Sequence, residues 1–256
     1  MKKLSVILPV FNQEKYLEET LNSLVEQKKW DWQESEIILI DDGSDDKSVE
    51  IAKSFQKKLP IKIIKHKKNL GLAKSLNEGL RLTNGKFVAR MDGDDLAMSW
   101  RFWRQVDFLE KHTDIDLLGG FIQSFNDNGW RGQVDILPRS DREIKRTMLF
   151  YCALMHPTVM WRASWQKKVN FSYVEDVEWQ GAEDYITWIK YIDKTKMANL
   201  AEVLIRYRCH SEQISYQLAE KQQRLTKKIK WIAREKWMKD LIEEFREKLK
   251  KYFRRS

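Results

Sequence analysis

The stretch Phe87–Asp95, FVARMDGDD, decides how the chain is read. Phe87, Val88 and Ala89 make a short apolar run behind a turn signal at Asn84-Gly85, which predicts a buried strand. That strand would deliver Asp92, Asp94 and Asp95 together at its carboxyl end. Carboxylates so placed raise one another's pKa and cost stability, so a positive partner is expected. A divalent cation, held by hard oxygen ligands and shared with the phosphates of a nucleotide, meets that need. The bland alternative is a solvated Asp/Gly turn that caps the next helix. A second acidic turn behind an earlier strand weighs against it.

Working outward, Leu4–Val10 (LSVILPV) and Glu36–Ile40 (EIILI) read as buried strands, Ile61–Lys65 as a third and Lys86–Met91 as the fourth. Between them Glu14–Glu26, Ser48–Gln56 and Gly71–Leu82 read as helices. In the first, Tyr16, Leu17, Thr20, Leu21, Leu24 and Val25 share a face. This alternation predicts an α/β fold with a mostly parallel sheet flanked by helices. Ligands of such sheets bind beyond the carboxyl ends of the strands. Pro9–Asn12, Asp41–Ser44 and Asp92–Asp95 all fall at such ends and are expected on one rim. These turns are acidic rather than glycine-rich, and neither GxGxxG nor a P-loop pattern follows the first strand, which argues against those two phosphate sites. Carboxylates there can accept from a uracil N3–H or from ribose hydroxyls, and a pair one residue apart can grip a metal together with a ribose. Further along, Trp100–Lys111 reads as a helix with Trp103, Val106 and Leu109 or Phe108 inward, Asp116–Phe125 as a strand and Asn126–Gly129 as a hairpin turn.

A chain of 256 residues can bury one sizeable core and carry an appendage. At 42% hydrophobic and 33% charged it falls in the soluble globular class, although 11 Trp is high. Two cysteines, Cys152 and Cys209, are too few for a disulfide framework and fit packing roles in a reducing compartment. The N-terminal apolar run, about seven residues, is too short for a signal h-region or a membrane span. A cytoplasmic location is therefore expected. The net charge of +9 is not spread evenly: residues 221–256 hold 14 Lys/Arg against 5 Asp/Glu, leaving 33 of each in the first 220. The body is neutral and the tail is basic, which argues against a body that binds nucleic acid.

The motifs, taken in order, resemble the family-2 inverting glycosyltransferases with the GT-A fold. They are SVILPVFN at 5–12, EIILIDDGSDDKS at 36–48, NLGLAKSLNEGL at 69–80, GKFVARMDGDD at 85–95, HPTVMWR at 156–162, AEDYITWIK at 182–190 and YRCHSEQIS at 207–215. The resemblance implies a nucleotide-sugar donor, a divalent metal (Mn or Mg) and no covalent intermediate. It implies that Pro9 and Phe11 lie at the base, that Asp42 accepts its N3–H and that Asp41 is a supporting or ribose contact. Asp92 would face the ribose and Asp94 the metal, with Asp95 capping the next helix instead of ligating. Many relatives carry Arg just before Asn77; here Leu76 stands there, and Lys74 is the substitute cation. The resemblance also makes Asp184 the catalytic base, with Glu183 a helper or acceptor contact. Without it, the pair would read as acids complementing a helix N-terminus. His210, in a polar loop, is a candidate metal ligand, and His156 before Pro157 reads as structural.

Residues 1–215 are thus expected to form the GT-A domain and residues 216–256 a basic amphipathic helix. Leu225, Ile229, Ile232, Met238, Leu241, Ile242, Phe245, Leu249 and Tyr252 recur at helical spacing, with Trp231, Trp237 and Phe253 at the boundary. This pattern suits an anionic membrane surface, with packing on the body as the alternative. The expected activity is transfer of a sugar, from UDP-sugar by preference, to a glycan or lipid-linked glycan acceptor of lipopolysaccharide or capsule type, at the inner face of the cell membrane. A nucleotidyltransferase is the enzymatic alternative, but it needs a glycine-rich basic loop that Pro9–Glu14 does not offer. A basic nucleic-acid-binding protein is the non-enzymatic alternative.

Overall fold

Along β1 (Lys2–Val10), Leu4, Val6 and Leu8 face one side and Ile7 the other, all fully buried, because a strand alternates its side chains across the sheet. The computed structural model describes residues 2–253; the side chains of Ser215 and residues 240–253 fall outside the description. On one face of the sheet lie α1 (Leu17–Val25), α2 (Ser48–Ser54) and α4 (Arg101–Lys111), which supply Leu17, Leu21, Leu24, Ala52, Phe102, Val106 and Leu109 to the first core. On the other lie α3 (Leu72–Leu82), α5 (Asp141–Thr147), α6 (Ala163–Val169) and α7 (Glu183–Tyr191). In α4 the inward residue is Phe102, and Trp103, expected inward, is only half-buried.

β2 (Ser35–Asp41) and β4 (Gly85–Arg90) flank β1 in parallel, and β3 (Ile61–Lys65) extends β2 in parallel. The second half of the sheet is mixed. It adds β5 (Leu96–Ala97), β6 (Leu117–Phe125), β7 (Arg131–Asp135), β8 (Met160–Arg162) and β9 (Met197–Arg208), in the order β3-β2-β1-β4-β8-β6-β9-β5 with β7 beside β6. β8 runs antiparallel to both β4 and β6, so the sheet changes polarity there. Pro9 is tolerated in central β1 because pairing with β4 ends at Ile7–Arg90, so its missing N–H breaks no ladder bond.

After the short α8 (Ile214–Gln217) the chain ends in α9 (Ala219–Phe253), a single helix of 35 residues. Its Leu225, Ile229 and Ala233 are buried in the second core, against residues of α7. The apolar residues Leu241, Ile242, Phe245, Leu249, Tyr252 and Phe253 have side chains outside the description. Among the described residues no helix is long and apolar enough to cross a membrane.

The high tryptophan content has a structural use. Trp161, Trp165, Phe171, Tyr173, Trp188 and Tyr191 form a contiguous aromatic cluster under α7, with Phe171 and Trp188 stacked at 5.8 Å. It clamps that helix against the sheet.

Gly43 closes the turn after β2 with φ +82°, and a Cβ there would stand 2.6 Å from the backbone carbon of Lys68. Gly43→Ala should therefore destabilise the protein by about 2–4 kcal/mol, from the left-handed backbone and the clash together. Urea denaturation checks this; an unchanged midpoint would show that the 66–71 loop can move aside freely.

Candidate active site

The acidic turn after β4 is built from inside the fold. Asp92, Asp94 and Asp95 each offer a carboxylate oxygen, and the three lie within 4.8 Å of one another. Thr20 of α1 donates through Oγ1 to the carbonyls of Gly93 and Asp95, both at 2.9 Å, which pins the turn. Gly93 sits against the end of β1, where a Cβ would approach Val10 to 3.2 Å. Asp95 is fully buried and does not cap a helix as expected: β5 intervenes before α4, and its Oδ1 accepts from the backbone N–H of Arg208 at 2.9 Å. Its Oδ2 is buried without a hydrogen-bond partner among the described residues.

Arginines supply part of the positive charge. Arg90, 2% exposed, makes a bidentate pair with Asp92. Arg208, also 2% exposed, donates through Nε to the carbonyl of Asp94 at 2.9 Å and pairs with Glu19 and Asp127. Burial pulls Arg101 down to about 9, still charged at neutral pH. Even so, burial and the neighbouring Asp94 push Asp92 up to about 6, and burial with Asp94 and Asp92 pushes Asp95 well above the carboxylate range. The cluster is under-neutralised. His210 Nε2 lies 3.1 Å from Asp94 Oδ2, and its ring packs on Tyr16 at 4.5 Å. Three carboxylates, one with an orphaned buried oxygen, and an imidazole nitrogen beside them form a donor set that fits a hard divalent cation.

The turn after β2 is more closed. Asp41 is fully buried; its Oδ1 accepts from Ser44 N–H at 3.2 Å and its Oδ2 stands 3.7 Å from Lys65 Nζ. Asp42 accepts from the N–H groups of Leu70 and Gly71, both at 2.8 Å, on different oxygens. His66, 8% exposed, bridges Asp42 Oδ1 at 2.7 Å and Glu78 Oε2 at 2.8 Å. Asp42 Oδ2 thus keeps acceptor capacity for a further donor. Phe11 is 43% exposed at the end of β1, and Asp42 N–H donates to Val10 O at 2.8 Å, so the aromatic ring and the acid belong to adjacent rungs. Pro9 is buried within β1. Lys74 is exposed with no ion pair among the described residues, whereas Leu76 is fully buried. Two helical residues differ by about 200° around the axis, so Lys74 does not take the place of a side chain at 76.

The second pair of acids opens α7. Asp184 Oδ1 accepts from Tyr185 N–H at 2.7 Å; burial raises its pKa, and its charge acts on both Arg90 and Asp92. The second acidic site is therefore within electrostatic reach of the first. Glu183, 7% exposed, accepts from Gly181 N–H at 2.7 Å, and burial followed by the Asp184 charge raises it to about 7. Asn77 staples the approach to α7: it accepts from Tyr173 N–H at 2.7 Å and donates to Tyr173 O and Glu175. His156 is buried against the Tyr173 hydroxyl at 3.0 Å, and burial holds it well below its usual pKa, as suits a structural histidine. Cys152 and Cys209 are free and half-buried.

Arg90, Arg208 and His66 were not anticipated as site residues. Arg90 had a readable signal, since an arginine two residues before an acid on an otherwise apolar strand needs a nearby counter-charge. Arg208 and His66 had none, because the partners of Arg208 lie 81 to 189 positions away and those of His66 lie 12 and 24 positions away, on other elements.

Strands carrying acids to one rim, a carboxylate cluster suited to a cation and a separate buried acid match a glycosyltransferase of the GT-A fold. The chain belongs to glycosyl transferase family 2, whose sequence model matches residues 5–165. It is similar to an uncharacterized glycosyltransferase of Haemophilus influenzae (33% identical, covering 88% of this chain and 71% of the relative). It is also similar to the amylovoran biosynthesis glycosyltransferase AmsE of Erwinia amylovora (31% identical, covering 82% and 78%). Among solved structures it resembles S. aureus TarS 1-349 in complex with UDP-GlcNAc (TM-score 0.69, 25% identical, covering 83% of this chain). It spans 60% of that chain.

His66, held between two carboxylates, has its pKa raised above 6.5: burial opposes the charge, and the bonds to Asp42 and Glu78 outweigh it. A raised pKa gives stability that is complete below the unfolded value and fades as pH rises through the folded one. His66→Gln should cost about 1–3 kcal/mol at pH 6 and less at higher pH. Urea midpoints across this range test it; a pH-independent difference would mean the imidazole is not charged there.

Proposed function

We propose that the chain is a metal-dependent, inverting hexosyltransferase that moves one sugar from a UDP-sugar to a surface-glycan acceptor of lipopolysaccharide or capsule type, free or lipid-linked. The observation that carries this reading is the gathering of Asp92, Asp94, Asp95 and His210 at the strand ends with Asp184 in electrostatic reach. The UDP-GlcNAc complex of TarS supports a UDP donor, and the amylovoran role in the name of AmsE supports a polysaccharide acceptor.

In this reading Phe11 lies against the uracil, with Pro9 shaping the strand end beneath it, and Asp42 accepts the N3–H. Asp41 holds the turn that presents Asp42, and Asp92 faces the ribose while Arg90 fixes its orientation. Asp94 and His210 would hold the divalent cation, Mn or Mg, which when bound supplies Lewis-acid stabilisation of the diphosphate leaving group. Asp184 takes the proton of the acceptor hydroxyl as that oxygen bonds to the anomeric carbon and the bond to the diphosphate breaks. Burial favours this role, because a raised pKa makes the carboxylate a stronger base. Glu183 contributes beside it by holding the loop at Gly181. Lys74, exposed on α3, is assigned an outer electrostatic contribution to donor binding. We assign catalysis to residues 1–215 in the cytoplasm, and surface attachment to residues 216–256.

A thermal-shift series with nucleoside diphosphates and nucleotide-sugars, with and without Mn²⁺, tests the donor, since a ligand that binds only the native state raises its stability. A metal-dependent shift with UDP species is expected, and no shift with any nucleotide would overturn the assignment. Asp94→Asn should abolish the metal-dependent part of the shift. Asp184→Asn should keep the shift and lower transfer about 10²–10⁴-fold, the usual worth of a general base. Near-normal turnover in that variant would remove Asp184 from the role.

A further inference from the structure

The stripe of α9 expected to meet a membrane is in part already used, since Leu225, Ile229 and Ala233 pack inside the protein. Among the described residues, the large apolar side chains that α9 leaves outward include Trp231 and Trp237, 60% and 50% exposed. Beside Trp237 a cleft of about 350 Å³ opens between α5, α7 and α9. Its floor is apolar, formed by Leu149, Ile189 and Ile192, and its rim is cationic. Of the rim cations, Lys145 and Lys236 are paired with Asp141 and Asp193 at 3.0 and 2.5 Å. Arg142 and Arg146 are exposed and have no ion pair among the described residues. A reciprocal capping box between Ser140 and Glu143 fixes the first turn of α5, which carries Arg142; Arg146 follows one turn later. Next to the cleft, Phe150 is 56% exposed, with the Arg234 guanidinium 5.3 Å from its ring centre.

We propose that this cleft, with the outward aromatics of α9, is the docking surface for a bilayer containing anionic phospholipid. Arg142 and Arg146 would take lipid phosphates, and Trp237 and Phe150 would sit at the interface. Two observations favour this occupant. The cationic rim surrounds an apolar floor and exposed rings, which match a headgroup layer above acyl chains; a soluble polyanion offers only the first half of that match. The helix that forms one wall of the cleft is strongly basic: its residues 221–239 hold eight Lys/Arg against one Glu, whereas the first 220 residues of the chain are neutral. The position also has a consequence for transfer. Ile189 is five residues from Asp184 along α7, about 8 Å of helix, so a lipid-held acceptor would present its sugar near the proposed base. That consequence rests on the proposed lipid-linked acceptor; the docking itself does not.

Flotation of the full-length protein with phosphatidylcholine vesicles, with and without phosphatidylglycerol, tests the proposal at low and high salt. Binding should require phosphatidylglycerol and weaken with salt. Combined Arg142→Gln and Arg146→Gln should weaken it about thirtyfold, at roughly 1 kcal/mol for each basic residue near the surface. Trp237→Ser should weaken it independently, with thermal midpoints of the variants reporting that they remain folded. Wild-type flotation by both folded variants would overturn the proposal, as would the absence of flotation with phosphatidylglycerol. So would stoichiometric competition by RNA that depends on Arg142 and Arg146 but not on Trp237, which would mark a polyanion site. Because flotation needs no turnover, loss of transfer activity with flotation intact would count against the glycosyltransferase reading alone.

Discussion

The structure depends on holding several carboxylates together, out of water, at the ends of central strands. Asp92, Asp94 and Asp95 repel one another, and burial makes Asp92 and Asp95 harder to ionise. The protein answers with arginines that are themselves buried. Arg90 grips Asp92 with both arms of its guanidinium, and Arg208 reaches in from the far end of β9 to the backbone of the same turn. Removing one member of such a set would leave a buried charge without its partner, at a cost of several kcal/mol. The compensation is incomplete, since Asp95 Oδ2 has no partner among the described residues. A cluster that still favours more positive charge is suited to a cation and the phosphates it accompanies.

The same concern for buried polar groups organises the loops around the cluster. Asn12 and Gln13 donate backbone N–H bonds to the hydroxyls of Ser44 and Ser48, so the turns after β1 and β2 are stapled to each other. Asp42 is fastened by two backbone amides and by His66, which is fastened in turn to Glu78 on α3. A carboxylate held by so many donors loses little further entropy on binding a ligand, which is the physical content of preorganisation. Mobility of this side of the site would have to come from the whole 66–71 loop.

On the opposite side, α7 carries Asp184 and Glu183 at its amino end and is clamped by aromatic packing beneath and by α9 alongside. Two bonds tie α9 to both ends of that region: Gln222 donates to Gly181 O at 2.7 Å, and Lys236 donates to Ile189 O at 3.1 Å. The basic helix and the second acidic site are thus joined by direct bonds and shared core packing. The basic helix and the rest of the fold pack together through Ala233 and stay bonded at Lys236.

By itself the sequence determined the strand–helix alternation, the parallel half of the sheet and the three acidic or polar turns at its carboxyl edge. These are local properties, written as apolar periodicity and turn residues within a few positions. It offered Asp94 and His210, 116 positions apart, as separate candidate metal ligands, and in the structure the two lie 3.1 Å from each other. Only the tertiary structure decided which charge answers which. The role of Asp95 as an acceptor for Arg208, the His66 bridge, the burial of Leu76 and the docking of Leu225, Ile229 and Ala233 all depend on partners far away in the chain. Periodicity says that a residue is buried or that a helix has an apolar side. What covers that side, and which counter-charge meets a buried acid, is settled by which elements the fold brings together.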